Sequence, residues 1–194
     1  MKVFVCGSFL ALCLTLPLAA SSIVYTMTGT LTGSLNGHAF SDAAFTIVLD
    51  GNTSNITDDS GVLLNQATSD TISIAGFTTT DFTQPVDAVA IPSFGFAGVG
   101  DFATTSGILI DNAAFDSWNL ANASGPVEQT GAAYAAEGTI ETALGALVIS
   151  GAENVSFSSS VTNANFTAAP EPATIGLVAL SLLGMALSRR FLRG

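Results

Sequence analysis

The chain has 194 residues, a mean hydropathy of +0.56 and a formal net charge of −11, from four basic and fifteen acidic side chains. The basic residues are Lys2, Arg189, Arg190 and Arg193, so Val3 to Ser188 holds fifteen carboxylates and no Lys or Arg, a side-chain charge near −15. That field repels nucleic acid and anionic lipid, offers no cation to a bound phosphate, and excludes conventional salt bridges as a source of stability.

Residues 1–20 read as a secretory signal peptide. Lys2 is the positive start, Val3 to Leu16 the apolar run, and Ala19-Ala20-Ser21-Ser22 the small residues expected at a cleavage site after Ala20. Both cysteines, Cys6 and Cys13, lie in this segment. The mature chain therefore has no disulfide, no cysteine nucleophile and no thiolate metal site.

The mature region, 21–163, is rich in Thr, Val, Ile, Phe and glycine turns, a composition that favours strands. Its apolar content separates it from a disordered Ser/Thr-rich chain, because it can bury a core. Ile23, Tyr25 and Met27 alternate on one face, Asn36-Gly37 signals a hairpin, and Phe45, Ile47 and Leu49 alternate on the returning strand. Asp50-Gly51 reads as the next turn. Asp50, Asn52, Ser54 and Asp58 copy the first half of an EF-hand loop, but position six is Asn55 and position twelve is Gly61, so a solvated turn is the expectation. Val62 to Leu64 can pair locally, and Ile72 and Ile74 form a short strand ending at Gly76. Val86 to Ile91 is apolar but flanked by Pro85 and Pro92, which predicts an edge or irregular stretch.

Further strands are expected around Phe94 to Asp101 and Ile108 to Ile110. Ala113 to Pro126 reads as a connection containing the single tryptophan. Trp118 can plug one end of the core. The alternative is a sugar-binding platform, with Asp116 and Asn119 as hydroxyl partners. Leu144 to Ile149 and Val155 to Ser159 read as two strands that close the sheet, with Val155, Phe157 and Ser159 facing inward. The predicted fold class is all-β: an antiparallel β-sandwich or jelly-roll-like domain.

Little in this region carries chemistry. His38 is the lone histidine, which excludes a multi-histidine metal cluster and an H-E-x-x-H site, and no G-x-S-x-G nucleophile elbow occurs. A carboxylate pair for glycoside hydrolysis stays open among fifteen acids, but aromatic platforms are few: Trp118, Tyr25 and Tyr134. The chain reads as noncatalytic, with no cofactor and no metal. Five Asn-x-Ser/Thr sites occur, at Asn52, Asn55, Asn122, Asn154 and Asn165.

Residues 164–169 form a linker to a tripartite tail. Pro170-Glu171-Pro172 breaks secondary structure, Ala173 to Ser188 is apolar and uncharged, and Arg189, Arg190 and Arg193 form a cationic membrane stop. As a helix the apolar run Ala173 to Ser188 would be about 24 Å long, short of the roughly 30 Å hydrocarbon core that takes about 20 residues. Spanning then requires local thinning or snorkelling arginines. This order of parts resembles the PEP-CTERM sorting signal of Gram-negative bacteria. The resemblance covers residues 170–194. It implies an exosortase-type processing enzyme as a partner, membrane anchoring before cleavage near Pro170, Glu171 and Pro172, and delivery to the cell surface or an exopolysaccharide matrix. The expected function is a noncatalytic envelope or matrix protein, with a lectin-like surface module as the alternative and exopolysaccharide as the candidate partner.

Overall fold

The computed structural model describes residues 21–102, 105–136 and 138–162. The signal peptide, the linker, the sorting residues Pro170, Glu171 and Pro172, the stop residues Arg189, Arg190 and Arg193, and Asn165 all lie outside them.

The expected all-β antiparallel class is present, as one sheet curled into a half-barrel. Its strands are β1 (Ser22–Leu35), β2 (His38–Asn52), β3 (Ile56–Asp59), β4 (Val62–Gln66), β5 (Ser69–Ile74), β6 (Asp87–Ile91), β7 (Phe96–Asp101), β8 (Ser106–Asp111), β9 (Ser124–Ala136), β10 (Thr139–Thr142) and β11 (Gly145–Thr162). The order across the sheet is β3-β4-β6-β7-β8-β9-β11-β1-β2-β5, with β10 paired to β11. Strand β9 joins the halves: Ser124 to Ala133 pair with β11, and Tyr134 to Ala136 pair with β8.

The opening meander follows its sequence pattern. Asn36 and Gly37 both take positive φ, 50° and 78°, the turn that matches the right-handed twist of the flanking strands. Ile23, Tyr25, Met27 and Leu49 are fully buried, and Phe45 and Ile47 nearly so. Strands of 14, 15 and 18 residues (β1, β2 and β11) far exceed the usual length of about 5–6. They bend into the curl at register shifts, between Thr28 and Thr30 and between Thr32 and Gly33 on β1.

The two outer ends of the sheet differ. Ile72 of β5 bridges Thr80, and Phe82 bridges Thr142 of β10, so the stretch 80–82 covers the β5 edge and ties it to β10. Strand β3 stays open and carries Asp58 and Asp59, charges that oppose pairing with another copy.

Four local expectations are corrected. Asp50-Gly51 is no turn: β2 runs through to Asn52, and the reversal is a 3-10 turn at Thr53–Asn55. Strand β6 is no edge: it pairs with both β4 and β7, because Pro85 and Pro92 stand just outside it and every ladder N–H within it is intact. Strand β9 begins inside the expected connection, and Pro126 falls where its register with β11 shifts, a place that tolerates a missing donor. Finally, Leu144 to Ile149 and Val155 to Ser159 are not two separate strands. They are parts of the single strand β11, whose neighbours are β1, β9 and β10. The inward set Val155, Phe157 and Ser159 is buried as expected.

Candidate functional site

Trp118 closes one end of the core. Its ring meets Phe157 and Phe115 at centroid distances of 5.6 Å and stands edge-on to Tyr25 at 6.2 Å. The indole Nε1–H donates to the Asn122 carbonyl at 3.0 Å, and the residue is 8% exposed. Tyr25 is fully buried beside it. Its hydroxyl donates to the Leu120 carbonyl at 2.9 Å and accepts from Asn65 Nδ2 at 2.7 Å. Burial pushes the phenol up to about 12, against the lowering effect of the Asn65 hydrogen bond, so it remains a donor at any physiological pH. The buried Asn65 Oδ1 has no partner in the structure.

The residues proposed alongside Trp118 are placed differently. Asp116 and Asn119 are exposed, and Asn119 Oδ1 accepts from Ala121 N–H and Asn122 Nδ2, both at 3.1 Å. The tryptophan ring is turned into the aromatic cluster, while the Asn119 amide oxygen is held within its own turn and Asp116 Oδ1 lies against Gly95. His38 stands exposed at the start of β2, and Asp42 lies on a positive-φ kink of the same strand. Of the EF-hand-like set, Asp50 accepts from Ser69 Oγ, Asn52 caps the 3-10 turn, and Asp58 accepts from the Gly61 N–H at 2.7 Å. These oxygens serve separate local bonds on β2, the turn and β3. Among the described residues no group of three or more His, Cys, Asp or Glu is placed to hold a metal.

The concave feature lies elsewhere, on the outer face of β6 to β9. One row across the sheet runs Leu64–Val89–Gly98–Leu109–Tyr134, each residue opposite the next. The row beside it runs Asp87–Gly100–Gly107–Ala136. Glycines form the floor and apolar side chains the walls of a cleft of about 180 Å³, with Phe102 and Tyr134 on its rim. Tyr134 is 61% exposed and Phe102 41%. A Cβ at Gly98 would stand 1.9 Å from the Ile108 carbonyl oxygen, so β7 and β8 approach as closely as they do only with glycine there.

A buried polar end adjoins the cleft. Asp101 is 6% exposed and accepts from Gln84 Nε2 at 2.6 Å. Burial raises Asp87 above the usual carboxylate range, and the neighbouring Asp101 charge adds to the rise. Asp70, on β5, is raised by burial and by Asp81, with the Phe82 N–H opposing.

The sequence signal for this face was present: Ala88-Val89-Ala90-Ile91, Ala97 to Gly100 and Gly107 to Ile110 are apolar at consecutive positions, so both faces of these strands are apolar. Alternation could not say which side chains point outward. The register supplies that.

Comparison with known families bears on the tail. The family model for the PEP-CTERM protein-sorting motif matches residues 168–190. The chain carries a PEP-CTERM sorting signal. The match takes in Pro170, Glu171, Pro172, Arg189 and Arg190, and ends before Arg193. A PEP-CTERM signal marks an exported protein that is membrane-anchored until an exosortase processes it. No curated protein and no solved structure matches the chain. Among the described residues no helix is long and apolar enough to cross a membrane, and the apolar run 173–188 lies outside them.

Proposed function

We propose that this PEP-CTERM protein is a noncatalytic component of the cell envelope or of an exopolysaccharide matrix in a Gram-negative bacterium. The sorting motif at residues 168–190 carries the reading. The domain ahead of it suits a structural part. Its stability rests on cross-strand backbone bonds and one buried core, with no thiol chemistry for an oxidising compartment to alter. Its uniform negative charge keeps copies apart in a crowded matrix.

Replacing Pro170, Glu171 and Pro172 with alanine tests the sorting role. The expected outcome is a full-length chain held in the membrane fraction, with the surface fraction depleted. Unchanged delivery to the surface would overturn it.

A second reading, binding of exopolysaccharide, is favoured by one observation: Tyr134 presents an exposed aromatic ring at the rim of the outer cleft. An exposed aromatic face can stack on a sugar ring at little ordering cost. On this reading Tyr134→Ala abolishes co-sedimentation with the host polysaccharide and leaves the circular dichroism spectrum unchanged. Undiminished co-sedimentation would remove the reading.

A further inference from the structure

We propose that Asn52 is an acceptor for N-linked glycan. The inference rests on the export reading, since lipid-linked sugar donors meet a chain at or beyond the membrane.

The sequence offers five Asn-x-Ser/Thr sites, and four lie among the described residues. They differ in what their side chains do. At Asn52 the amide oxygen Oδ1 accepts two bonds from Ser54, the residue two positions on: its N–H at 2.9 Å and its hydroxyl at 2.7 Å. The backbone at Asn52 is extended, with φ −130° and ψ 129°, and the following turn is pinned to the start of β1. That pin is reciprocal: Thr53 N–H donates to the Ser21 carbonyl and Ser21 N–H donates to Thr53 Oγ1, both at 3.0 Å. Asn52 and Thr53 are half-buried and Ser54 and Asn55 exposed, so the acceptor lies at the edge of the sheet beside an open turn.

The other three sites lack this arrangement. Asn122 commits its Nδ2 as a donor to Asn119 Oδ1 at 3.1 Å. Asn154 sits on a positive-φ kink of β11, with Oδ1 taken by the Gly131 N–H at 3.0 Å. Asn55 Oδ1 stands 3.3 Å from the same Ser54 hydroxyl, whose single proton goes to the nearer Asn52 Oδ1, while its own Thr57 is drawn away into β3.

The chemistry explains why this matters. The nitrogen of a carboxamide is a poor nucleophile because its lone pair is delocalised into the carbonyl. Two donors on Oδ1 stabilise the imidate-like form, in which Nδ2 more readily loses a proton. In the proposed transfer, Nδ2 attacks the anomeric carbon of a lipid-diphosphate-linked oligosaccharide. The bond from that carbon to phosphate oxygen breaks, and the lipid diphosphate leaves with the electron pair. A base of the transferase takes the Nδ2 proton. No oxidant or reductant is needed.

The test is mass spectrometry of the protein from its native host. Cleavage before aspartate releases Asp50–Thr57, which contains Asn52 and Asn55. Whole-cell material is digested, so the result does not depend on where the protein accumulates; cell fractionation reports on export separately. The expected spectrum shows this peptide carrying a glycan mass that fragmentation places on Asn52. The glycan is lost in Asn52→Gln and kept in Asn55→Gln. An unmodified peptide alone, or fragmentation that places the glycan on Asn55, would overturn the proposal. Because the wild-type spectrum itself locates the sugar, the outcome stands even where the Asn52 variant folds poorly.

Discussion

Tyr25 and Trp118 define the wall at one end of the core, and each satisfies its polar atom without leaving it. The Tyr25 hydroxyl is shared between the Leu120 carbonyl and Asn65 Nδ2, and the indole N–H reaches the Asn122 carbonyl. Removing the ring leaves a cavity among Tyr25, Phe115 and Phe157, so Trp118→Ala is expected to cost about 3–5 kcal/mol in chemical denaturation. Tyr25→Phe keeps the volume but strands the buried Asn65 amide, and is expected to cost about 1–3 kcal/mol. The same scale sets the response to pH. Asp70 and Asp87 have folded-state pKa values above their ordinary ones, so the native state binds more protons than the unfolded chain between the two values. Their ionised forms are unfavourable in the fold, and stability therefore falls as pH rises through the folded pKa and is regained on mild acidification. Thermal melts are expected to give a higher Tm near the ordinary aspartate pKa of 3.8, where both groups are protonated in the fold, than at pH 7. Asp87→Asn is expected to raise Tm at pH 7 and narrow the difference. A Tm that drops on acidification from pH 7 toward the ordinary aspartate pKa would contradict this assignment.

At the scale of elements, the clearest strands in the sequence were those with one wet face. Ile23, Tyr25 and Met27 alternate with the half-buried Val24, Thr26 and Thr28, and their burial follows directly. Strand β9 was obscure because Gly, Ala, Ser and Thr dominate it and its apolar set is faint, so only pairing with β8 and β11 defines it. Strand β6 departs from its sequence expectation because proline punctuation resembles an edge signal, while the ladder needs only the N–H groups between the prolines. The outer cleft was hidden for another reason: strands apolar on both faces give no facing signal, and Gly98, Gly100 and Gly107 have meaning only once β7 lies on β8. Gly98→Ala places a methyl 1.9 Å from the Ile108 carbonyl oxygen. It is expected to cost at least about 1–3 kcal/mol and to raise amide exchange in β7 and β8 ahead of β1. Unaltered stability would mean that the close approach of these strands has no energetic weight.

For the whole molecule, the address was far more legible than the cargo. A tripartite tail is a linear signal, read in order along the chain, so Pro170, Glu171, Pro172 and the arginines could be recognised without a fold. A binding surface is assembled from distant strands, and Val89, Leu109 and Tyr134 meet only through the register of β6 to β9. The composition also fits an exported life, with all positive charge confined to residues 2 and 189–193 and fifteen carboxylates between. On the proposed function the tail is an address to be removed. The most direct test is the intact mass, with C-terminal fragmentation, of the chain recovered from the surface and membrane fractions of the native host. A surface species ending near Pro172 is the predicted result. A surface population that still ends at Gly194 would contradict it, and would make the tail a permanent anchor.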